Sequence, residues 1–161
     1  MGSLDLVVFR RVWQRVVDRH SALRSAFVWE GLAEPLQVVR SSVEVPFMEV
    51  DWSGCDAEEV ARRLDGFLRE DRAIGFDVSR APLLRFALIR LAVDRVLVVS
   101  SFHHLIIDGW SLQILTREFT ALYRAALDGV DVRLDSPVPF ADYVQWLERR
   151  PVVDAEGFWR R

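Results

Sequence analysis

The sequence predicts an α/β fold of the α+β type, a two-layer sandwich in which helices cover a mixed β-sheet. Three observations predict it. Segments with the helical spacing of apolar residues alternate loosely with short apolar runs of strand length. Some of these runs are joined by short turns and are predicted to form hairpins, which argues against a doubly wound parallel sheet. The 161 residues are 51% hydrophobic and 28% charged, a balance typical of one globular domain or lobe.

The chain begins with a predicted amphipathic helix over residues 4–20. Leu6, Phe9 and Trp13 open an apolar stripe at three- and four-residue steps, and Ser3 is the predicted N-cap.

Three extended segments follow this helix. Residues 26–29 and 36–39 are predicted to pair as a hairpin. Residues 43–50 form a third stretch, and Pro46 restricts it to a sheet edge or a bulge because proline cannot donate a ladder hydrogen bond.

A second helix is predicted over residues 56–73, with Gly75 at its end. Two apolar runs, 83–91 and 96–102, come next and are separated by a short polar segment. They are predicted to be a hairpin of central strands.

The last third of the chain is predicted to be helical apart from a linker. A helix over 111–127 would begin with Ser111 as its cap and end at Gly129. A short helix is predicted over 140–149, and another begins at 156–161.

Charge and composition exclude several classes of partner. The net charge of −3 gives no reason to expect nucleic acid, and no apolar run approaches the length of a membrane span. Cys55 is the one cysteine, so the chain forms no internal disulfide and fits a reducing cytoplasm.

The most informative stretch is a buried strand that leads into two histidines, a turn and a helix. It contains the heptapeptide His103-His104-Leu105-Ile106-Ile107-Asp108-Gly109. If the strand persists that far, the two rings point to opposite faces, so one faces a cleft and the other packs within the lobe. Histidine has the pKa that a general base needs near neutral pH.

The residues after the histidines suit a strand-to-helix corner. Asp108 would either orient a histidine or pair with an arginine, and Gly109 would permit a backbone geometry closed to other residues. A metal site is disfavoured because adjacent strand residues diverge and only His20 remains as a third histidine. The Gly-x-Ser-x-Gly turn of serine hydrolases is absent.

Four ordered motifs resemble those of nonribosomal peptide synthetase condensation domains, in the chloramphenicol-acetyltransferase-like superfamily. The first is the heptapeptide above followed by Trp110-Ser111, and the other three are Arg19-His20-Ser21-Ala22-Leu23-Arg24-Ser25-Ala26-Phe27, Phe76-Asp77-Val78-Ser79-Arg80-Ala81-Pro82-Leu83-Leu84-Arg85, and Phe140-Ala141-Asp142-Tyr143-Val144-Gln145-Trp146 with Phe158-Trp159 after it. Most of their apolar members are interpreted as core. The resemblance implies that residues 1–161 are the N-terminal lobe, with the family's first strand and its C-terminal lobe missing.

The resemblance also implies an activity, in which a donor thioester on one carrier protein is attacked by the amine of an acceptor on another. His104 would lie at that amine as general base or positioning group, and His103 would support the loop. Asp108 would be structural and paired with Arg24 or with an arginine of the missing lobe. In the family the active site lies in a tunnel between the two lobes, where Gly109 would leave room, and Trp110 and Ser111 would give structural support.

Partners implied by the resemblance are peptidyl or acyl carrier protein domains, the missing C-terminal lobe and an adenylation domain of the same assembly line. No cofactor is bound directly, because the substrates travel on the phosphopantetheine of the carriers. Two alternatives stay open: an ester-forming or free-standing acyltransferase of the same superfamily, and a non-catalytic carrier-protein docking lobe. An epimerisation domain is disfavoured, since those usually place Val-Ser-Trp after Asp-Gly.

Overall fold

The computed structural model describes residues 4–149. This part of the chain contains four α-helices, a short 3₁₀ helix and five strands. In chain order they are α1 (Leu6–Arg19), the 3₁₀ helix (Ser21–Arg24), β1 (Ser25–Val28), β2 (Leu36–Val39), β3 (Phe47–Asp51), α2 (Ala57–Ile74), β4 (Leu84–Ala92), β5 (Arg95–Phe102), α3 (Gly109–Asp128) and α4 (Phe140–Glu148). The helix predicted over 156–161, with Phe158-Trp159, lies outside the described residues.

A mixed three-stranded sheet forms the centre of the described residues. β3 runs parallel to β4, and β4 pairs antiparallel with β5, whereas β1 and β2 form a separate antiparallel hairpin. The predicted α/β class, a mixed sheet covered by helices, is therefore confirmed, and so are both predicted hairpins. Pro46 directly precedes β3, which pairs only with β4 here, and its carbonyl oxygen accepts a hydrogen bond of 3.0 Å from the N–H of Phe86.

The prediction that both strands of the second hairpin are central is wrong for β5 in the described part of the chain. β4 lies between two strands and has an almost continuous run of buried residues. β5 pairs on one side only, and its residues are half-buried or exposed. An apolar run by itself does not distinguish an edge strand from a central one.

Different helices cover the two faces of the sheet. Side chains alternate along β4, so Leu84, Phe86 and Leu88 share one face, where they join the main apolar core with α1 and α3. Arg85 points to the opposite face and reaches Asp71 near the end of α2. The sheet therefore packs against α1 and α3 on one face and has α2 on the other.

An aromatic cluster centred on Phe9 ties the first face together. Phe9 is 5% exposed, and the rings of Trp13, Phe47, Phe86 and Phe119 lie with centroids 5.2–6.4 Å from its own, all edge-to-face. Edge-to-face pairs at this separation are favourable beyond the burial of their area. One side chain thus joins α1, β3, β4 and α3 behind the sheet.

The helix ends are set by aspartates and glycines. Asp5 caps α1 and Asp56 caps α2, each accepting a hydrogen bond from the backbone N–H three residues later. The prediction of Ser3 as the first cap is wrong, because the helix starts at Leu6. Gly75 and Gly129 end α2 and α3 with φ of +60° and +68°, as predicted.

α4 lies on the surface of the described part of the chain. Phe140, Tyr143 and Trp146 are each about half exposed, and the ring of Tyr143 stacks on that of Trp146 with centroids 5.8 Å apart. The expectation that Tyr143 and Trp146 belong to the core is wrong within residues 4–149. No helix among these residues has both the length and the apolar character needed to cross a bilayer.

Candidate active site

The two histidines lie in a short turn between β5 and α3. β5 ends at Phe102, and the backbone N–H of His103 donates to the carbonyl oxygen of Leu83 at 2.9 Å. The N–H of Ile106 then donates to the carbonyl oxygen of His103 at 3.1 Å, which closes the turn. Ile106 and Ile107 are buried in the main core. Backbone hydrogen bonds at one end and apolar burial at the other therefore fix the loop.

His104 uses one of its two ring nitrogens for a hydrogen bond within the loop. Its Nδ1 lies 3.0 Å from the carbonyl oxygen of Ile107. A carbonyl oxygen only accepts, so Nδ1 carries the proton and Nε2 of the neutral ring carries a lone pair. The residue is exposed, and its ring contacts that of Phe102 edge-on with centroids 5.8 Å apart. The arrangement suits a group that accepts a proton at Nε2.

His103 has a different environment. Its Nδ1 accepts a hydrogen bond of 3.1 Å from the N–H of Leu105, so its neutral ring carries the proton on Nε2. The ring is half-buried and meets that of Phe76 edge-on at 6.5 Å between centroids. The strand ends before both histidines, so strict alternation does not apply to them. The two rings nevertheless have different neighbours and opposite tautomers.

Asp108 caps α3. Its Oδ1 accepts hydrogen bonds from the backbone N–H of Ser111 at 2.7 Å and from the Ser111 hydroxyl at 2.6 Å. These hydrogen bonds from Ser111 lower the pKa of the Asp108 carboxyl below its ordinary value. The prediction that Ser111 caps the helix is wrong, since α3 begins two residues earlier at Gly109. Ser111 supports the corner by donating twice to the residue that does cap it.

Arg24 does not pair with Asp108. Its Nη1 donates to the carbonyl oxygens of Arg40 and Ser41, the latter at 3.1 Å, so it braces the loop after β2. Its Nε is buried without a hydrogen-bond partner in the described part of the chain. Of the two partners expected for Asp108, Arg24 is therefore wrong in the described residues, because the carboxylate accepts its hydrogen bonds within the first turn of its own helix. The other, an arginine of the C-terminal lobe, stays a prediction.

Gly109 and Trp110 also differ from expectation. Gly109 has no positive φ, and a Cβ built on it would meet nothing within 4 Å among the described residues. The conformational argument for glycine is therefore wrong at this position, whereas the open space beside it fits an exposed corner. Trp110 is 79% exposed, so it gives the loop no packing support within residues 4–149.

A polar network behind His103 was not predicted from the sequence. Arg85 is the last residue of the motif that begins at Phe76, but its partner Asp71 lies in the charged face of a helix where nothing in the sequence distinguishes it. In the structure, the Arg85 Nε donates to Asp71 Oδ1 at 2.7 Å, and the Ser101 hydroxyl donates to Asp71 Oδ2 at 2.6 Å. Only the folding of α2 against the sheet brings the three residues together.

An apolar cavity of about 310 Å³ lies beside the loop, between the sheet and helices α1 and α3. Phe102 and Ile107, which flank the ring of His104, are among its lining residues, together with Leu112 and Thr116 of α3. Among residues 4–149, no three histidine, cysteine or acidic side chains are placed to hold a metal ion.

Comparisons with known proteins extend over the whole chain. The family model described as the condensation domain matches residues 1–161. A linear gramicidin synthase of Brevibacillus parabrevis is 39% identical over 160 residues, which cover 99% of this chain and 2% of that protein. Bacitracin synthase 1 of Bacillus licheniformis is 33% identical over 159 residues, which cover 99% of this chain and 3% of that protein. The chain therefore spans only a few per cent of the length of these relatives.

A solved structure agrees with the sequence matches. The SgcC5 protein from Streptomyces globisporus, in complex with a naphthyl ethanediol and sucrose, has a TM-score of 0.80 and 30% identity. The alignment covers 99% of this chain and 37% of that one.

Proposed function

The chain belongs to the condensation domain family, and from this we propose that residues 1–161 form the N-terminal lobe of a domain that makes amide bonds between carrier-bound substrates. Its relatives are nonribosomal peptide synthetases, and the structures that it matches have the chloramphenicol-acetyltransferase-like fold. The chain spans a small part of those proteins, so a C-terminal lobe would supply the other wall of the active site.

One observation carries the proposal: His104 is exposed, and it makes its hydrogen bond within the loop through Nδ1, which leaves Nε2 as the nitrogen with the lone pair. The hydrogen bond from Nδ1 to the carbonyl oxygen of Ile107 selects the tautomer in which Nε2 has the lone pair. Burial of that ring would have left no path for a substrate, and the ring is not buried.

The proposed reaction needs a base and a positioned amine, and no nucleophile from the protein. The acceptor nitrogen attacks the donor thioester carbonyl while Nε2 of His104 takes its proton. As the tetrahedral intermediate collapses, the carbon–sulfur bond breaks and the imidazolium returns that proton to the departing thiolate. The products are an amide on the acceptor carrier and a free thiol on the donor carrier.

The neighbouring residues act on the position of His104. His103 holds the turn through the N–H of Leu105, and Asp108 holds the first turn of α3 through Ser111. Gly109 is the first residue of α3, and the N–H groups of a helix's first turn have no partner within the helix, so its backbone N–H would be available to a developing negative charge.

The partners follow from this chemistry. Peptidyl or acyl carrier protein domains would present both substrates on phosphopantetheine arms, and an adenylation domain of the same assembly line would load them. No cofactor, nucleic acid or membrane enters the reaction, and the cytoplasm is where such substrates are charged.

The test compares amide formation by a complete domain that carries residues 1–161, as wild type, His104→Ala and His20→Gln. We expect His104→Ala to lose a factor of about 10²–10⁴ in kcat, the usual contribution of a general base. His20→Gln is the matched control, because His20 contacts Glu118 on another part of the lobe. Unchanged turnover in His104→Ala would contradict the catalytic function and favour a docking lobe.

A second function, ester formation, is favoured by one observation. The matched structure from Streptomyces globisporus contains a diol, and a hydroxyl group attacking the same thioester would give an ester. The same Nε2 would take the proton of the hydroxyl group. Offering amine and hydroxyl acceptors on the same carrier to the complete domain distinguishes the two products by mass.

A further inference from the structure

Arg85 fastens the hairpin that precedes the histidines to the end of α2. Its Nε donates to Asp71 Oδ1 at 2.7 Å, its Nη2 to the backbone oxygen of Asp71 at 2.7 Å, and its Nη1 to the backbone oxygen of Gly75 at 2.5 Å. The side chains of Arg85 and Asp71 are 23% and 16% exposed. The planar guanidinium directs its three nitrogens to these three oxygens in a fixed fork, a geometry that the compact ammonium group of a lysine lacks.

The same carboxylate holds the second strand of the hairpin. The Ser101 hydroxyl donates to Asp71 Oδ2 at 2.6 Å, and Ser101 is the cross-strand partner of Arg85. Burial opposes ionisation of Asp71, but the hydrogen bonds from Arg85 and Ser101 outweigh it and lower its pKa. One charged group therefore joins α2, β4 and β5 just two residues before His103.

A second contact leads from Arg85 to the ring of His103. The guanidinium carbon of Arg85 lies 4.3 Å from the ring centroid of Phe76, within the range of a cation–π interaction. The Phe76 ring in turn meets His103 edge-on. His103 is thus held through its backbone strand and through its ring, and both supports begin at the Asp71–Arg85 pair.

We propose that Asp71 and Arg85 are positioning residues for the histidine loop. They fix the end of β5 and the ring of His103, which keeps the His103 Nδ1 on the N–H of Leu105 and so holds the turn that carries His104. Neither residue touches a substrate. The inference rests on the proposed function only where it concerns the rate, because the effect on the rings is independent of any reaction.

The test of position uses nuclear magnetic resonance of the histidine rings in this chain, which has three histidines. We expect Asp71→Ala and Ser101→Ala to move the ring resonances of His103 and to leave those of His20 in place. Ser101→Thr, which keeps the hydroxyl, should restore the wild-type spectrum.

A matched control lies on the same helix as Asp71. Arg63→Gln removes an exposed ion pair with Glu59, and it should change none of the three rings. If Asp71→Ala does not fold, the comparison of Ser101→Ala with Ser101→Thr is sufficient to test the inference. His103 resonances that stay at their wild-type positions in folded Ser101→Ala would overturn the inference, even if the unfolding midpoint falls.

The test of rate uses the complete domain and the Ser101 variants. We expect Ser101→Ala to lower kcat about tenfold, since displacement of a reacting group by a fraction of an ångström has effects of this order, and to leave KM for the acceptor carrier unchanged. Ser101→Thr should recover kcat. A wild type that forms no product while the rings respond would refute the proposed function alone. Loss of activity in His104→Ala together with full activity in Ser101→Ala would refute the positioning.

Discussion

Replacing His104 by asparagine separates the two roles of its ring. The asparagine amide places an N–H close to where Nδ1 lies, so it still reaches the carbonyl oxygen of Ile107, which is 3.0 Å from Nδ1 in the structure. It has nothing at the position of Nε2. His104→Asn should therefore keep the loop and lose the base, whereas His104→Ala loses both.

Loss of the hydrogen bond to Ile107 and loss of the base are expected to have effects of different size. One neutral hydrogen bond at a partly exposed site contributes about 0.5–1.5 kcal/mol to stability, so His104→Ala should be less stable by about that amount and His104→Asn close to wild type. Loss of a general base costs a factor of about 10²–10⁴ in rate, or about 2.7–5.4 kcal/mol of transition-state stabilisation. Both variants should show that second loss.

Three measurements check this reasoning. Chemical denaturation compares the stabilities of the folded variants, and turnover of carrier-bound substrates by the complete domain compares their rates. Long-range ¹⁵N–¹H correlation spectra report which nitrogen of the neutral His104 ring carries the proton. A proton on Nε2 would refute the tautomer argument, and a His104→Asn domain with wild-type turnover would refute the assignment of the base.

Three other perturbations test the scaffold around the loop. Phe9→Ala should destabilise the chain by about 3–5 kcal/mol, because it empties the centre of a cluster of four rings; denaturation that shows less than about 1 kcal/mol would contradict that packing. Asp108→Asn should keep the α3 cap and the activity, since asparagine caps a helix as well as aspartate does. Asp108→Ala should lower the midpoint of thermal unfolding about as much as Asp56→Ala does at the start of α2. An Asp108→Asn domain that unfolds at the wild-type temperature but is inactive would give Asp108 a chemical role. Burial opposes ionisation of Glu118, but hydrogen bonds from Arg19 and His20 outweigh it and lower the pKa of the carboxyl, so the ionised group stabilises the fold above the ordinary carboxyl range and this stability is lost as the pH falls through the lowered pKa. In unfolding curves taken at a series of pH values, Glu118→Gln should therefore reduce the loss of stability at acid pH. An unchanged loss would show that other carboxylates cause it.

Much of the fold follows from local patterns in the chain. The apolar stripe that begins at Leu6 and Phe9 predicts α1 to within two residues of its observed start, and the two glycines that end α2 and α3 have the positive φ that their positions require. These features depend on the periodicity of apolar residues and on backbone sterics, and both are properties of the local sequence. The edge position of β5 depends on which strands pair, and a single run of apolar residues does not contain that information.

At the candidate site, too, the motif predicts some features and the folded structure decides others. The motif predicts that His104 is the base, whereas the tautomer of its ring depends on a carbonyl oxygen three residues away whose direction is set by the turn. Arg24 was one of two arginines expected as the partner of Asp108, but the carboxylate accepts hydrogen bonds from Ser111 within its own helix turn. A short polar side chain at the start of a helix has backbone groups within reach, and these compete with more distant partners.

Patterns within the chain predict the class of fold and the histidine loop, because both depend on spacings of a few residues, and the motifs at these positions carry the resemblance to the family that the comparisons show. The hydrogen bonds of Asp71 with Arg85 and Ser101 behind that loop form only when α2 packs on the sheet. The three residues lie 14 to 30 positions apart along the chain, so no local rule of spacing relates them. They meet because the alternation of side chains along β4 sends Arg85 to the face that α2 covers.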